Sequence, residues 1–180
     1  MAKTEIPDGV WPVMITPFKV DRTIDFKAYR NLIDFYISQD VSGLFACCGS
    51  SELEKLNRGE MLDIISTAVE AAAGRVPVVA GAILFCDIDE QIEFIKKVYA
   101  TGASAVILAT NQFVSRDQHD TALWRENLAK IVDATDEIPL GTYELPVPWP
   151  HVITANEFRW MISTNRFVFH KDTSCSLDKL

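Results

Sequence analysis

The sequence predicts an α/β fold whose parallel sheet closes towards a barrel, and three observations carry that expectation. Short apolar or β-branched runs recur at residues 10–15, 43–47, 76–81, 105–109, 138–143 and 166–170, with starts 33, 33, 29, 33 and 28 residues apart, which is the spacing of βα units. Stripes of helical period fill the intervals. No GxGxxG follows the first run and no GxxxxGK followed by Ser or Thr occurs in the chain, so the nucleotide-binding open sheets lose their main support.

Taken in order, residues 10–15 and 43–47 form the first two expected strands. The stripe Met61, Ile64, Ile65, Ala68, Val69 and Ala72 forms a helix leading to the third, at 76–81. Ile88, Ile92, Ile95 and Tyr99 mark the helix before the fourth strand, 105–109. Helix starts carry capping punctuation: Ser115 with Gln118 and Thr154 with Glu157 are capping boxes, and Asn57 with Glu60 and Asp87 with Glu90 are close variants. The runs at 76–81 and 105–109 are apolar almost throughout, as strands covered on both faces are.

At 180 residues with 48% hydrophobic content, the chain suits one domain spanning residues 1–180. A net charge of −8 leaves no basic stripe for phosphates, so nucleic acid and anionic membrane surfaces are not expected as partners. A small-molecule site fits better. The longest apolar run, residues 76–85, is broken by Pro77 and Gly81 and is too short to span a bilayer. Residues 1–9 carry no apolar signal region, which leads to the expectation of a cytoplasmic protein. Cys47, Cys48, Cys86 and Cys175 form no CxxC pair and have no His at metal-ligand spacing, so buried free thiols, no metal and no cofactor are expected.

In a barrel, reactive groups gather where strands end at their C-terminal side. Lys171 stands directly after Phe167, Val168, Phe169 and His170, where desolvation lowers the pKa of an amine towards that of a nucleophile. Tyr143 ends the preceding run 28 residues earlier, one βα unit away, so the two belong side by side, and a phenol there can relay protons. His170, adjacent to Lys171 on a strand, should face the other way, towards the helices. Trp124, Trp149 and Trp160 read as packing residues.

Several motifs in the same order make the chain resemble the dihydrodipicolinate synthase and N-acetylneuraminate lyase family of Schiff-base aldolases. Thr16-Pro17-Phe18 resembles its T-P-F, residues 74–81 its G-R-V-P-V-I-A-G, Tyr143-Glu144-Leu145-Pro146 its Y-N-x-P, and Lys171-Asp172 its lysine followed by an acid. The resemblance implies a (β/α)₈ TIM barrel, of which about the first six βα units are present, and a chain that is part of a longer protein. It implies that Lys171 forms an imine with pyruvate or a related 2-oxo acid and that Tyr143 shuttles protons. The loop after the second strand, with Gly49, Ser50 and Ser51, and Thr16 would hold the substrate carboxylate. A homo-oligomer, dimer or tetramer, is implied as well.

Three departures bear on substrate. Gly49 takes the place of the first hydroxyl residue of the family's G-T-T-G-E, with Ser50 on the second. Phe113 stands where a relay tyrosine is usual, and Pro148 and Trp149 occupy the stretch where the synthases place a carboxylate-binding arginine. A dehydratase or aldolase of 2-keto-3-deoxy sugar acids is therefore the alternative within the family. A non-catalytic metabolite-binding member is the alternative outside catalysis.

Overall fold

The computed structural model of the chain describes residues 6–117 and 120–176. Helices and strands alternate: α1 (Phe26–Ile37), β1 (Leu44–Ala46), α2 (Arg58–Ala72), β2 (Val78–Gly81), α3 (Ile88–Ala100), β3 (Ala105–Ala109), α4 (Thr121–Ala134), β4 (Leu140–Tyr143), α5 (Ala155–Ser163) and β5 (Phe167–Lys171). The five strands lie in the sheet in the order β1-β2-β3-β4-β5, which is the βα repeat of a TIM barrel. Packing divides the chain into two compact units, Met1–Gly81 with Lys97–Val106, and Ala82–Lys96 with Ile107–Leu180. No described helix is long and apolar enough to cross a membrane.

In the first unit, the strand expected at 10–15 is reduced to a parallel bridge between Val13 and Phe45. Met14 N donates to Phe45 O at 2.9 Å and Phe45 N to Pro12 O at 3.1 Å. Pro12 can accept but has no N–H to donate, so the ladder does not extend through it. Next to this segment, β1 pairs in parallel with β2, Phe45 opposite Val79. Gly43 is required where it stands, because a Cβ there would lie 2.1 Å from the Trp11 ring.

The helices of this unit begin as their sequences dictate. Asp25 caps α1 by accepting from Ala28 N, and Asn57 and Glu60 form the expected reciprocal box at α2. The inner face of α2 buries Met61, Ile64, Ile65, Ala68 and Ala72, the stripe read from the sequence, while Val69 is only half-buried. α1 contributes the fully buried Tyr29 and Ile33. Burial pushes the Tyr29 phenol and the Cys47 thiol well above their ordinary pKa values, so both stay neutral.

In the second unit, every residue of β3 from Ala105 to Ala109 that belongs to it is buried, as is β4. The capping box expected at Ser115 and Gln118 involves Gln118, which lies outside the described residues. The observed cap of α4 is Asp120, whose carboxylate accepts from Ala122 N and Leu123 N. Thr154 and Glu157 do form the expected box at α5. β4 and β5 pair in parallel, Thr142 opposite His170 and Tyr143 opposite Lys171. The last strand is therefore Phe167–Lys171 rather than 166–170, and Lys171 is its final member instead of the residue after it.

Gly141 lets the strands of this unit approach: a Cβ there would lie 2.5 Å from Ile107 Cδ1 and 2.8 Å from Phe169 O. Arg166, just before β5, donates to Val132 O at 2.9 Å, to Thr135 Oγ1 at 3.0 Å and to Ile138 O at 2.8 Å. It closes the carbonyl end of α4 over the start of the strand. All four cysteines are free. Cys47 and Cys48 are buried as expected, but Cys86 is half-exposed and Cys175 exposed, because both follow strand ends where the chain runs along the surface.

Candidate active site

Strand pairing brings together the two residues singled out for catalysis. Tyr143 and Lys171 end neighbouring strands in matched register, and with a side-chain period of two they share a face. Lys171 Nζ lies 4.2 Å from the centre of the Tyr143 ring, within cation–π range. Tyr143 is buried at 6% exposure and Lys171 half-buried. The amine thus sits on an aromatic, partly dry surface where β4 and β5 end.

The opposite face of the same strands carries polar groups. Thr142 Oγ1 lies 2.9 Å from His170 Nδ1, and the His170 ring tilts against Phe158 of α5 with centroids 5.5 Å apart. His170 therefore faces the helix, as alternation requires. Its Nε2 is 3.9 Å from Glu144 Oε1. Glu144, at 2% exposure, accepts from Ile153 N at 2.9 Å and from Thr173 N at 3.1 Å. Among the described residues, Glu144, His170 and Asp172 form a group whose candidate ligand atoms lie within 4.8 Å of one another, but both Glu144 oxygens already serve backbone donors.

The loop after β4 is held by residues that sequence reading passed over. Asn111 Nδ2 lies 3.0 Å from Leu145 O, 2.9 Å from Val147 O and 2.6 Å from Trp149 O. Thr110 Oγ1 donates to His151 O at 2.6 Å, and His151 stacks on the buried Trp124 with centroids 5.2 Å apart. His151 Nε2 is 3.4 Å from Glu157 Oε1. Burial works against the Glu157 charge, yet the neighbouring His151 imidazole and the hydrogen bonds with Thr154 outweigh it and hold the carboxyl below its usual range. Phe113 packs edge-on against Trp124 at 5.8 Å, so its ring belongs to the packing of α4. Trp149 is half-buried beside Phe85, with ring centres 5.8 Å apart.

In the first unit, the expected carboxylate loop is a 3₁₀ turn, Gly49–Ser51, after Cys48. Ser51 is 1% exposed, and its hydroxyl donates to Met14 O at 2.7 Å while accepting from Cys48 N at 3.0 Å. Thr16, 4% exposed, donates to Ser51 O at 2.9 Å. These two hydroxyls tie the turn to the segment at 14–16. Ser50 is the exposed member and Gly49 is half-buried, so Ser50 is the residue of this turn whose side chain faces outward.

Comparison with known proteins adds to this geometry. Residues 6–180 match the pattern of the dihydrodipicolinate synthetase family. A protein named 4-hydroxy-tetrahydrodipicolinate synthase from Koribacter versatilis is 33% identical over 139 residues, which is 77% of this chain and 45% of that protein. One named "Probable 5-dehydro-4-deoxyglucarate dehydratase", from Bradyrhizobium sp., is 31% identical over 128 residues, 71% of this chain and 40% of that protein. A crystal structure of a dihydrodipicolinate synthase superposes with a TM-score of 0.84 at 26% identity, covering 95% of this chain and 58% of that one. The chain spans about half the length of the relatives it matches.

Proposed function

We propose, on the premise that the chain belongs to the dihydrodipicolinate synthetase family, that it supplies the imine-forming centre of a class I aldolase-type lyase or synthase acting on pyruvate or a related 2-oxo acid. The observation that supports this most is the placement of Lys171 Nζ over the Tyr143 ring at the ends of paired strands. The neutral amine attacks the ketone carbon, forming a C–N bond. Proton transfers to the former carbonyl oxygen release it as water and leave the imine. The imine then accepts the electron pair of the adjacent carbon–carbon or carbon–hydrogen bond as it breaks. A phenol at Tyr143 would carry these protons. In this reading the Ser50 hydroxyl and the Gly49 turn receive the 2-oxo acid's carboxylate, and Thr16 and Ser51 shape that turn.

The reading includes a cytoplasmic homo-oligomer. The second reading, loss of water from a 2-keto-3-deoxy sugar acid through the same imine, is favoured by the dehydratase-named relative and by Pro148 and Trp149 in place of an arginine. Both start from the same adduct. Incubation with a panel of 2-oxo acids and borohydride, which reduces the imine to a stable secondary amine, should add the mass of the acid less one water plus two hydrogens at Lys171. Lys171→Ala should abolish the adduct. Trapping that persists in the variant, or absence of trapping in the unaltered protein with every acid tried, removes the imine assignment.

A further inference from the structure

We propose that Glu144 is a positioning residue that holds the Lys171 end of β5 in place, an inference that rests on the imine reading. A carboxylate buried to 2% exposure is costly unless its oxygens are hydrogen-bonded, and the bonds of Glu144 are distributed in a telling way. Oε2 accepts from Thr173 N at 3.1 Å, two residues beyond the lysine. The Glu144 N–H donates to the carbonyl of Lys171 itself at 3.1 Å. The Glu144 carbonyl accepts from the Thr173 hydroxyl at 2.5 Å. Oε1 reaches the other way, to Ile153 N at 2.9 Å, in the loop that leads into α5.

One residue thus grips the chain at Lys171 and just after it, and ties both points to β4 and to the start of α5. The residue type also matters. A carboxylate offers two acceptors and can serve Ile153 N and Thr173 N at once, whereas the amide of the Y-N-x-P pattern would turn an NH₂ donor towards one of those N–H groups. Because an amine displaced by about 1 Å can lose roughly 100-fold in rate, a clamp at this point acts on the chemistry through Lys171.

Two variants and two measurements test the assignment. Glu144→Gln keeps the volume but loses one acceptor, and Glu144→Asp keeps both acceptors on a shorter arm. In Glu144→Gln, the maximal rate of pyruvate trapping at Lys171 should fall roughly 10- to 100-fold, with little change in the pyruvate concentration that gives half of it. Glu144→Asp should recover part of the loss. Hydrogen exchange at the Thr173 or the Ile153 amide should quicken in Glu144→Gln, whatever the outcome of trapping. An unchanged trapping rate in Glu144→Gln, or unchanged protection of both amides, overturns the positioning role. Failure of the unaltered protein to trap any 2-oxo acid overturns the imine reading instead, and leaves exchange at the two amides to judge the clamp.

Discussion

β3 and β5 are both five-residue strands, AVILA and FVFHK, yet all five residues of β3 are buried and all five of β5 are half-buried. β3 lies between β2 and β4 in the sheet order, and β5 pairs with β4. The contrast shows that similar apolar runs differ in how closely they are packed within this chain. An ammonium in the middle of β3 would be stripped of water on every side. At the end of β5, Lys171 is half-buried and lies against Tyr143. β3 is packed throughout, and the β4–β5 pair carries the candidate amine.

The sharpest way to break that contrast is through reactivity. Tyr143→Phe should slow pyruvate trapping by about 100-fold or more, the usual worth of a general acid–base group, and cost no more than about 1 kcal/mol of stability, the net of one hydrogen bond. Trapping kinetics and urea unfolding on the same preparation check both halves; an unchanged rate would leave Tyr143 with a packing role alone.

Stability should follow the opposite pattern. Ile107→Ala in β3, at a fully buried site, should cost about 2–5 kcal/mol, whereas Val168→Ala in the half-buried β5 should cost below roughly 1.5 kcal/mol because less apolar surface returns to water. Equal losses in denaturant unfolding would mean that β5 is as deeply packed as β3.

The smallest effect concerns the helix that feeds β5. Since the pKa of Glu157 is lowered in the fold, its charge stabilises the native state above the ordinary glutamate value of 4.5 and ceases to do so as pH falls through the lowered one. Glu157→Gln should therefore be less stable than the unaltered protein at pH 7, with the gap closing in acid. A gap that stays constant between the two conditions would show that the carboxylate's charge contributes nothing.

Much of the fold was legible in local pattern. Runs of β-branched and apolar residues located β1 to β5 to within a residue or two, and the boxes at Asn57 and Thr154 marked true helix starts. The run at 10–15 looked equally good but forms a single bridge, since one proline donor is missing. Asp120, which caps α4, was read as solvated helix surface. At the candidate site, Lys171 and Tyr143 stood out because their chemistry is unusual at strand ends and their separation is one βα unit.

What the sequence determined by itself follows from short-range physics: side-chain period, capping and the spacing of repeats place the strands, the helices and the pairing of residues 143 and 171. Tertiary structure alone decided the rest. Glu144 and Asn111 bond to backbone groups of Leu145, Val147, Trp149, Ile153 and Thr173, and every residue type offers such groups, so no motif announces them. Ser50 and Ser51 were both read as substrate-binding hydroxyls; in the fold the Ser51 oxygen is engaged by Met14 O and Cys48 N, while the neighbouring Ser50 faces outward. Which of two adjacent serines points inward depends on the conformation of one 3₁₀ turn and on the segment 34 to 37 residues earlier that receives it, and that is settled only when the two are packed together.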